Sequence, residues 1–519
     1  MRSLRALALL ALAAAVLAAI PAAGSGQEPA YAVGAVFDDA NRNAVRDAGE
    51  RGIEGVRVSN GRSIVTTEAD GHYRLPVGDD TIIFVIKPSG WMTPADGNNL
   101  PRFYYIHKPN GSPKLLYKGV EPTGPLPASV DFPLYRHKEP KRFQAIFFGD
   151  TQPANQQQVN YTAHDLVEEL VGTGARFGVV LGDIVGNDLS LYDTLVPAIG
   201  RIGVPWYYVK GNHDTNYDAA PNHDLTDETF ARVFGPSHYS YDYSKVHFVV
   251  LNDPYWGRLG SYTAELDPQQ MAFLQSDLAL VPDDQLVVLM MHIPIVELSN
   301  RTEIFRVLEK HPFTFSISGH WHIQQHFFLT KKDGWNGAKP HHHLVNGTAC
   351  GGWWTGAPDE VGIPHATMSD GTPNGYSVIT FDGNKYSIRF KAARRSADYQ
   401  MNIFAPEEVK SSESGETEVQ VNVFAGSERS KVEMRLGDVG EWIEMQRVSR
   451  EDPFYLQMKK AEAGPNPPAG AKLPGPSKCA HLWTAKLPKD APAGTYLVTV
   501  RTADMFGQSY TASRVIRVL

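Results

Sequence analysis

A chain of 519 residues, 42% hydrophobic and 20% charged, has the composition of a globular protein; this excludes disordered and fibrous classes, and the length suits roughly three domains. The formal net charge of −8 argues against the basic footprint of a nucleic-acid binder. Cys350 and Cys479 are too few for a disulfide framework; an oxidising compartment permits one bridge between them, and two buried thiols are an equal reading.

In chain order, Arg2 and Arg5 precede an unbroken apolar run over 6–20 and small residues up to Gly26. This predicts a secretory signal peptide over residues 1–25, whose removal leaves the chain two units more negative. The run is short for a membrane span and no later stretch reaches the roughly 20 apolar residues a spanning helix needs, so a secreted or periplasmic protein is expected rather than an integral membrane one. Over 31–136, β-rich runs at 32–37, 56–58, 64–67 and 81–86 are broken by Gly, Asn, Asp and Pro, the pattern of a small β-sandwich. Within it Asp39, Asn41, Asn43, Asp47 and Glu50 occupy positions 1, 3, 5, 9 and 12 of a loop with the Val45 carbonyl at position 7, the spacing of an EF-hand-type site for one structural calcium ion. Ala44 stands where that loop usually has Gly, and the alternative is a solvated acidic turn. Residues 136–142 form a charged connector. From 143 to 395 apolar strands alternate with helical segments such as 162–171 and 268–280, which predicts a layered α/β domain. Over 396–519 β patterning returns at 418–424, 431–436 and 496–502, a second sandwich in which the Pro- and Gly-rich 464–477 is a long loop.

Five apolar runs of the central domain end abruptly in polar residues: Asp150 and Gln152; Asp183; Asn212, His213 and Asp214; His292; His320 and His322. Open α/β sheets place their sites just beyond the carboxyl ends of such strands, so these ends can converge. Imidazole, carboxylate and carboxamide groups together suit zinc, manganese or iron, and a pair of such ions about 3.5 to 4 Å apart can clamp a phosphoryl group and activate water.

The motifs Asp150-Thr151-Gln152, Gly182-Asp183, Gly211-Asn212-His213-Asp214, His292-Ile293-Pro294 and Gly319-His320-Trp321-His322 resemble, in order, those of the calcineurin-like metallophosphoesterases. The resemblance implies a four-layer αββα sandwich, here flanked by two all-β sandwich domains. It further implies two divalent transition-metal ions (Mn, Zn or Fe) bridged by Asp183, one held by Asp150, Gln152 and His322 and the other by Asn212, His292 and His320. His213 would stand beside the phosphate as proton donor or charge stabiliser, with Asp214 orienting its imidazole or else serving only as a turn residue, and metal-bound hydroxide would attack in line. Most of the family has His where this chain has Gln152; branches that include the ADP-ribose/CDP-alcohol diphosphatases are similar in having Gln, which points to an altered metal preference. Gly186 stands where purple acid phosphatases carry their Tyr ligand.

Two further segments bear on the site. Gly-Gly-Trp-Trp stretches lie near the site in the secreted three-domain phosphoesterases this chain resembles, so Trp353 and Trp354 are expected to contact substrate, or else to be core aromatics. In His341-His342-His343, strand alternation puts His341 and His343 on one face, as structural groups or as a further metal site. The expected protein is a secreted or periplasmic phosphatase or phosphodiesterase acting on a small-molecule or cell-envelope phosphoester. The alternatives are a diphosphatase acting on nucleotide-sugar or CDP-alcohol substrates, and a non-catalytic binding or adhesion protein.

Overall fold

The five apolar runs of the central region are strands buried on both faces, which is why they read as continuous hydrophobic stretches rather than as alternation. In a computed structural model of the chain, which describes residues 30–219, 222–257, 261–438 and 440–519, these strands belong to two sheets. We label the strands β1 (Arg142–Phe148), β2 (Phe177–Leu181), β3 (Trp206–Val209), β4 (Tyr239–Tyr243), β5 (Val246–Val250), β6 (Leu286–Met290), β7 (Thr314–Ser318), β8 (Gln325–Leu329), β9 (His341–Val345), β10 (Gly375–Asp382) and β11 (Lys385–Ala392). One sheet has the order β3-β2-β1-β10-β11 and the other β4-β5-β6-β7-β9-β8, with the strands that carry the motifs running parallel within each. The signal peptide expected over residues 1–25 lies outside the described residues.

Aromatic side chains join the two sheets: Phe177 of β2 packs edge-on against Tyr241 and Phe248, and Tyr207 of β3 stacks on Tyr241 at 3.9 Å. Outside the first sheet lie the helical stretch from Gln156 to Leu170 and the helix Tyr192–Gly200, whose Val159, Leu166, Leu195 and Ile199 share a core with Ile146, Phe148 and Val180. Outside the second lie Pro268–Leu278 and Arg301–Leu308. The result is a four-layer αββα sandwich. The helix expected at 162–171 starts earlier, at Gln156, because Asn155 caps it by accepting the N–H of Gln158; the polar Gln156-Gln157-Gln158 turn hides its beginning from any reading of apolar periodicity.

Two four-stranded sheets form a sandwich on the amino-terminal side, and a four- and a five-stranded sheet form another on the carboxyl-terminal side. The latter also carries a helix, Pro453–Glu462, which the β patterning did not announce; Asp452 caps it by accepting the N–H of Tyr455, with Pro453 at the first helical position. No helix among the described residues is long and apolar enough to cross a membrane.

Candidate metal centre

The ends of β1, β2, β3, β6 and β7 deliver their polar residues to one buried cluster. Close approach dictates the glycines that precede them: a Cβ on Gly211 would lie 2.2 Å from Oδ1 of Asp183, and one on Gly319 2.2 Å from Oδ1 of Asp150. Gln152, Asp183, His320 and His322 themselves adopt φ of +38°, +44°, +73° and +53°, a left-handed backbone that non-glycine residues rarely keep outside functional turns.

Asp183 is central. Its Oδ1 accepts the N–H of His213 at 2.8 Å, and its Oδ2 lies 3.2 Å both from Nε2 of Gln152 and from Nε2 of His292. Nε2 of His292 is also 3.0 Å from Oδ1 of Asn212 and 3.1 Å from Nδ1 of His320, while its Nδ1 is oriented by the Leu181 carbonyl. On the other flank Oδ1 of Asp150 accepts the N–H of His320, and Nδ1 of His322 meets the Gly351 carbonyl at 2.6 Å. Oδ2 of Asp150 is buried; Nε2 of His322 lies 3.2 Å from it, yet no well-aligned hydrogen bond satisfies it. An anionic oxygen left so, beside imidazoles whose second nitrogens are held by carbonyls, fits a cation. Ligand atoms of Asp183, His292 and His320 lie within 4.8 Å of one another. Gln152 turns Nε2 toward Asp183, so acting as a ligand requires only the exchange of its two near-isosteric amide ends.

Burial disfavours a charged His292, but the charge of Asp183 overrides it and raises the imidazole to about 10. Burial and the neighbouring His292 instead push His320 down to about 4.

The role expected of Asp214 needs correction. Its carboxylate does not touch the His213 ring; it accepts the N–H groups of Gly211 and Ile184 and the hydroxyl of Tyr192, bracing the β2 and β3 turns. Burial, and then the charge of Asp183, raise it to about 7. The group that holds the imidazole is Asn187, whose Oδ1 lies 2.6 Å from Nδ1 of His213. The successive residues of so tight a turn point in different directions, so adjacency in sequence misled. Asp253 was also missed: it accepts the N–H groups of His292 and Ile293. The only cue was its place just after the apolar end of β5.

Trp353 and Trp354 part ways. Trp353 is 44% exposed and stacks on His322 at 3.9 Å, facing the cluster. Trp354 is 2% exposed and donates its indole N–H to the Thr151 carbonyl, which makes it a core aromatic rather than a substrate contact. Cys350 and Cys479 are separate, buried free thiols, the former 3.7 Å from Nδ1 of His322. His341 and His343 form a buried ladder with Thr314, Ser316 and Ser318, so their nitrogens are taken up by hydroxyls. In the amino-terminal loop, Asp39 accepts the N–H groups of Asn43 and Ala44, and Glu50 accepts those of Ala40 and Asp47. Asn41 and Asn43 both donate to Oδ2 of Asp47, the Val45 side chain is exposed, and Ala44 takes φ +61°, the conformation for which Gly is usual at that position.

Comparison with known proteins follows the same order along the chain. The model of the calcineurin-like phosphoesterase family matches residues 143–324, that of the N terminal of calcineurin-like phosphoesterase 39–117, and that of the C terminal of calcineurin-like phosphoesterase 343–510. No curated protein matches the chain by sequence. Among solved structures, a purple acid phosphatase from yellow lupin (Lupinus luteus) seeds is similar at 12% identity with a TM-score of 0.36; the match covers 65% of this chain and spans 66% of that structure's length, a likeness too slight to carry an argument. From the three successive family matches and the converging strand ends, the chain belongs to the calcineurin-like phosphoesterases, a family of metal-dependent phosphoric ester hydrolases.

Proposed function

We propose that the protein is a secreted hydrolase that cleaves a phosphate ester at the Asp183 cluster with two divalent transition-metal ions, manganese, zinc or iron. The observation that carries this reading is the convergence of seven donor residues from five strand ends, with Asp183 in contact with both flanks. Asp150, Gln152 and His322 would hold one ion, Asn212, His292 and His320 the other, and Asp183 both. Such ions, when bound, neutralise phosphoryl oxygens and lower the pKa of water. The chain's own contribution to turnover centres on His213. Asn187 accepts from Nδ1, so the ring, when it carries a proton on each nitrogen, presents its Nε2–H to a phosphoryl oxygen and can give that proton to the departing alkoxide. The exposed face of Trp353, over His322, would cover one side of the substrate and exclude water there.

Asp183→Asn tests the reading. It should lower turnover by about 10³-fold or more, several kcal/mol of lost charge stabilisation, in a chain that still unfolds in one cooperative transition. Wild-type turnover in that variant would sink the proposal. Aryl monophosphate, bis-aryl phosphate and ADP-ribose assayed side by side separate phosphatase, phosphodiesterase and diphosphatase action; Gln152 motivates the last. A chain that takes up no metal and turns over nothing after reloading would instead support a binding or adhesion protein.

Three further readings belong with this one. We divide the chain at 31–136, 143–395 and 396–519, supported by the sheets, each of which draws its strands from one of these parts to within a residue of its bounds. We assign one structural calcium ion to Asp39, Asn41, Asn43, Val45, Asp47 and Glu50; the thermal midpoint should then rise with added calcium and fall with a chelator selective for it. Export is supported by the sequence of residues 1–25, and the amino terminus of protein recovered outside the cytoplasm would test it.

A further inference from the structure

Behind the His322 flank, the carboxyl-terminal sandwich sends a buried polar chain toward the cluster. His481, on the strand Lys478–Lys486, is enclosed, and each of its nitrogens meets an oxygen: Nδ1 lies 2.8 Å from Oδ1 of Asn422 and Nε2 3.1 Å from Oδ2 of Asp370. The Asn422 amide is fixed in that sense, because its Nδ2 donates to the Asp370 carbonyl at 3.0 Å and to Oδ2 of Asp452 at 2.9 Å. With acceptors at both ends the ring carries both protons and is an imidazolium paired with Asp370.

Asp370 passes this order on. The same Oδ2 accepts the backbone N–H of Gln324 at 2.9 Å, two residues beyond His322, and Oε1 of Gln324 accepts the N–H of Gly347. The turn from Ala366 to Thr372, which Asp370 closes by accepting the N–H of Thr372, also lies against the segment that holds the His322 ring: Gly352 donates its N–H to the Ala366 carbonyl, and Gly351 offers its own carbonyl to Nδ1 of His322. Both supports of His322, its own backbone and its imidazole partner, are thereby tied to one carboxylate. That backbone needs holding, since His320 and His322 both sit at positive φ.

We propose that His481 is a positioning residue of the hydrolytic site, through which the carboxyl-terminal sandwich, by way of Asp370 and Gln324, sets the geometry of His322 and so the affinity of the ion on the Asp150, Gln152 and His322 flank. The proposal rests on the reading of the cluster as a two-metal centre. Its test is a calorimetric titration of the metal-free full chain with Mn²⁺ alone, alongside turnover at low and high Mn²⁺. Wild type should take up two ions. His481→Leu should weaken one of the two affinities by about 10-fold or more, with turnover recovering as Mn²⁺ is raised. His481→Gln, whose amide can still donate to Asp370, should regain most of the loss, and Asn422→Ala should weaken the same single ion. Two affinities within twofold of wild type in a folded His481→Leu or Asn422→Ala chain would overturn the proposal. So would loss of the fold in both variants, because the network would then be a structural brace alone. Wild type that binds no metal would count against the two-metal reading itself.

Discussion

The two outer sandwiches each meet the central domain through a buried histidine with acceptors on both ring nitrogens, yet the two histidines sit at opposite ends of the sheets. On the amino-terminal side His247 lies between Asp242 and Asp277, at 2.7 and 2.9 Å, and Arg57 of the outer domain bridges the same two carboxylates. Two cations face two anions there, near the start of β5, away from the end that leads to Asp253 and His292. On the carboxyl-terminal side His481 faces one carboxylate and one amide, and its hydrogen bonds run on toward His322. The His247 contact therefore clamps the sheet from behind, whereas the His481 contact runs toward the working end. Buried ion pairs of the first kind are destabilising to break without being sites of chemistry.

The strongest way to break this contrast is Asp277→Ala, which leaves His247 and Arg57 with a single carboxylate. It should destabilise the protein by about 3 to 5 kcal/mol in denaturant titration while leaving kcat and metal content unchanged. A matching loss of turnover would mean that the amino-terminal contact also reaches the site.

High pH should loosen the same contact. Burial opposes the charged form of His247, but Asp277 and Asp242 together raise it to about 9. Because the folded value lies above the unfolded one, the stabilisation is complete below about pH 6.5 and is lost as pH rises through 9, up to about 3 kcal/mol in all. Wild type should thus lose stability between pH 7 and 10, and the Asp277→Ala chain should lose much less over that range.

Smaller effects belong to the working end. Asn187→Ala removes one hydrogen bond from the His213 ring and should lower kcat about tenfold, near 1.4 kcal/mol, with KM and thermal midpoint unmoved. Trp353→Ala should raise KM a few-fold and shift stability by less than about 0.5 kcal/mol, as expected for an exposed side chain. If kcat fell instead, the indole would be acting on the reacting groups.

How far the sequence alone reached depends on the range of the interaction. The ends of β1, β2, β3, β6 and β7 were legible because strands buried on both faces are unbroken apolar runs, and Asp150, Asp183, Asn212, His292, His320 and His322 stand directly after them. Asn187 was not legible, since it lies in a loop where no periodicity operates and only the folded turn brings it to His213. Asp214 was misread because the direction of a side chain in a tight turn is a property of φ and ψ, not of order along the chain. The His481 network joins residues 111 apart in sequence to Asp370, and nothing local in either segment foretells the pairing. The same holds for Trp353 and Trp354, which look alike in sequence and differ in exposure once folded.

Four of the residues around the cluster, Gln152, Asp183, His320 and His322, hold backbone conformations that cost each of them on the order of 1 kcal/mol. The centre is therefore tense before anything binds. An ion taken up only by the folded chain would offset that tension by mass action, and the concentration of free metal would then act as a dial on the resilience of the whole central domain. Stripped of metal, the chain should melt at a lower temperature than in excess Mn²⁺.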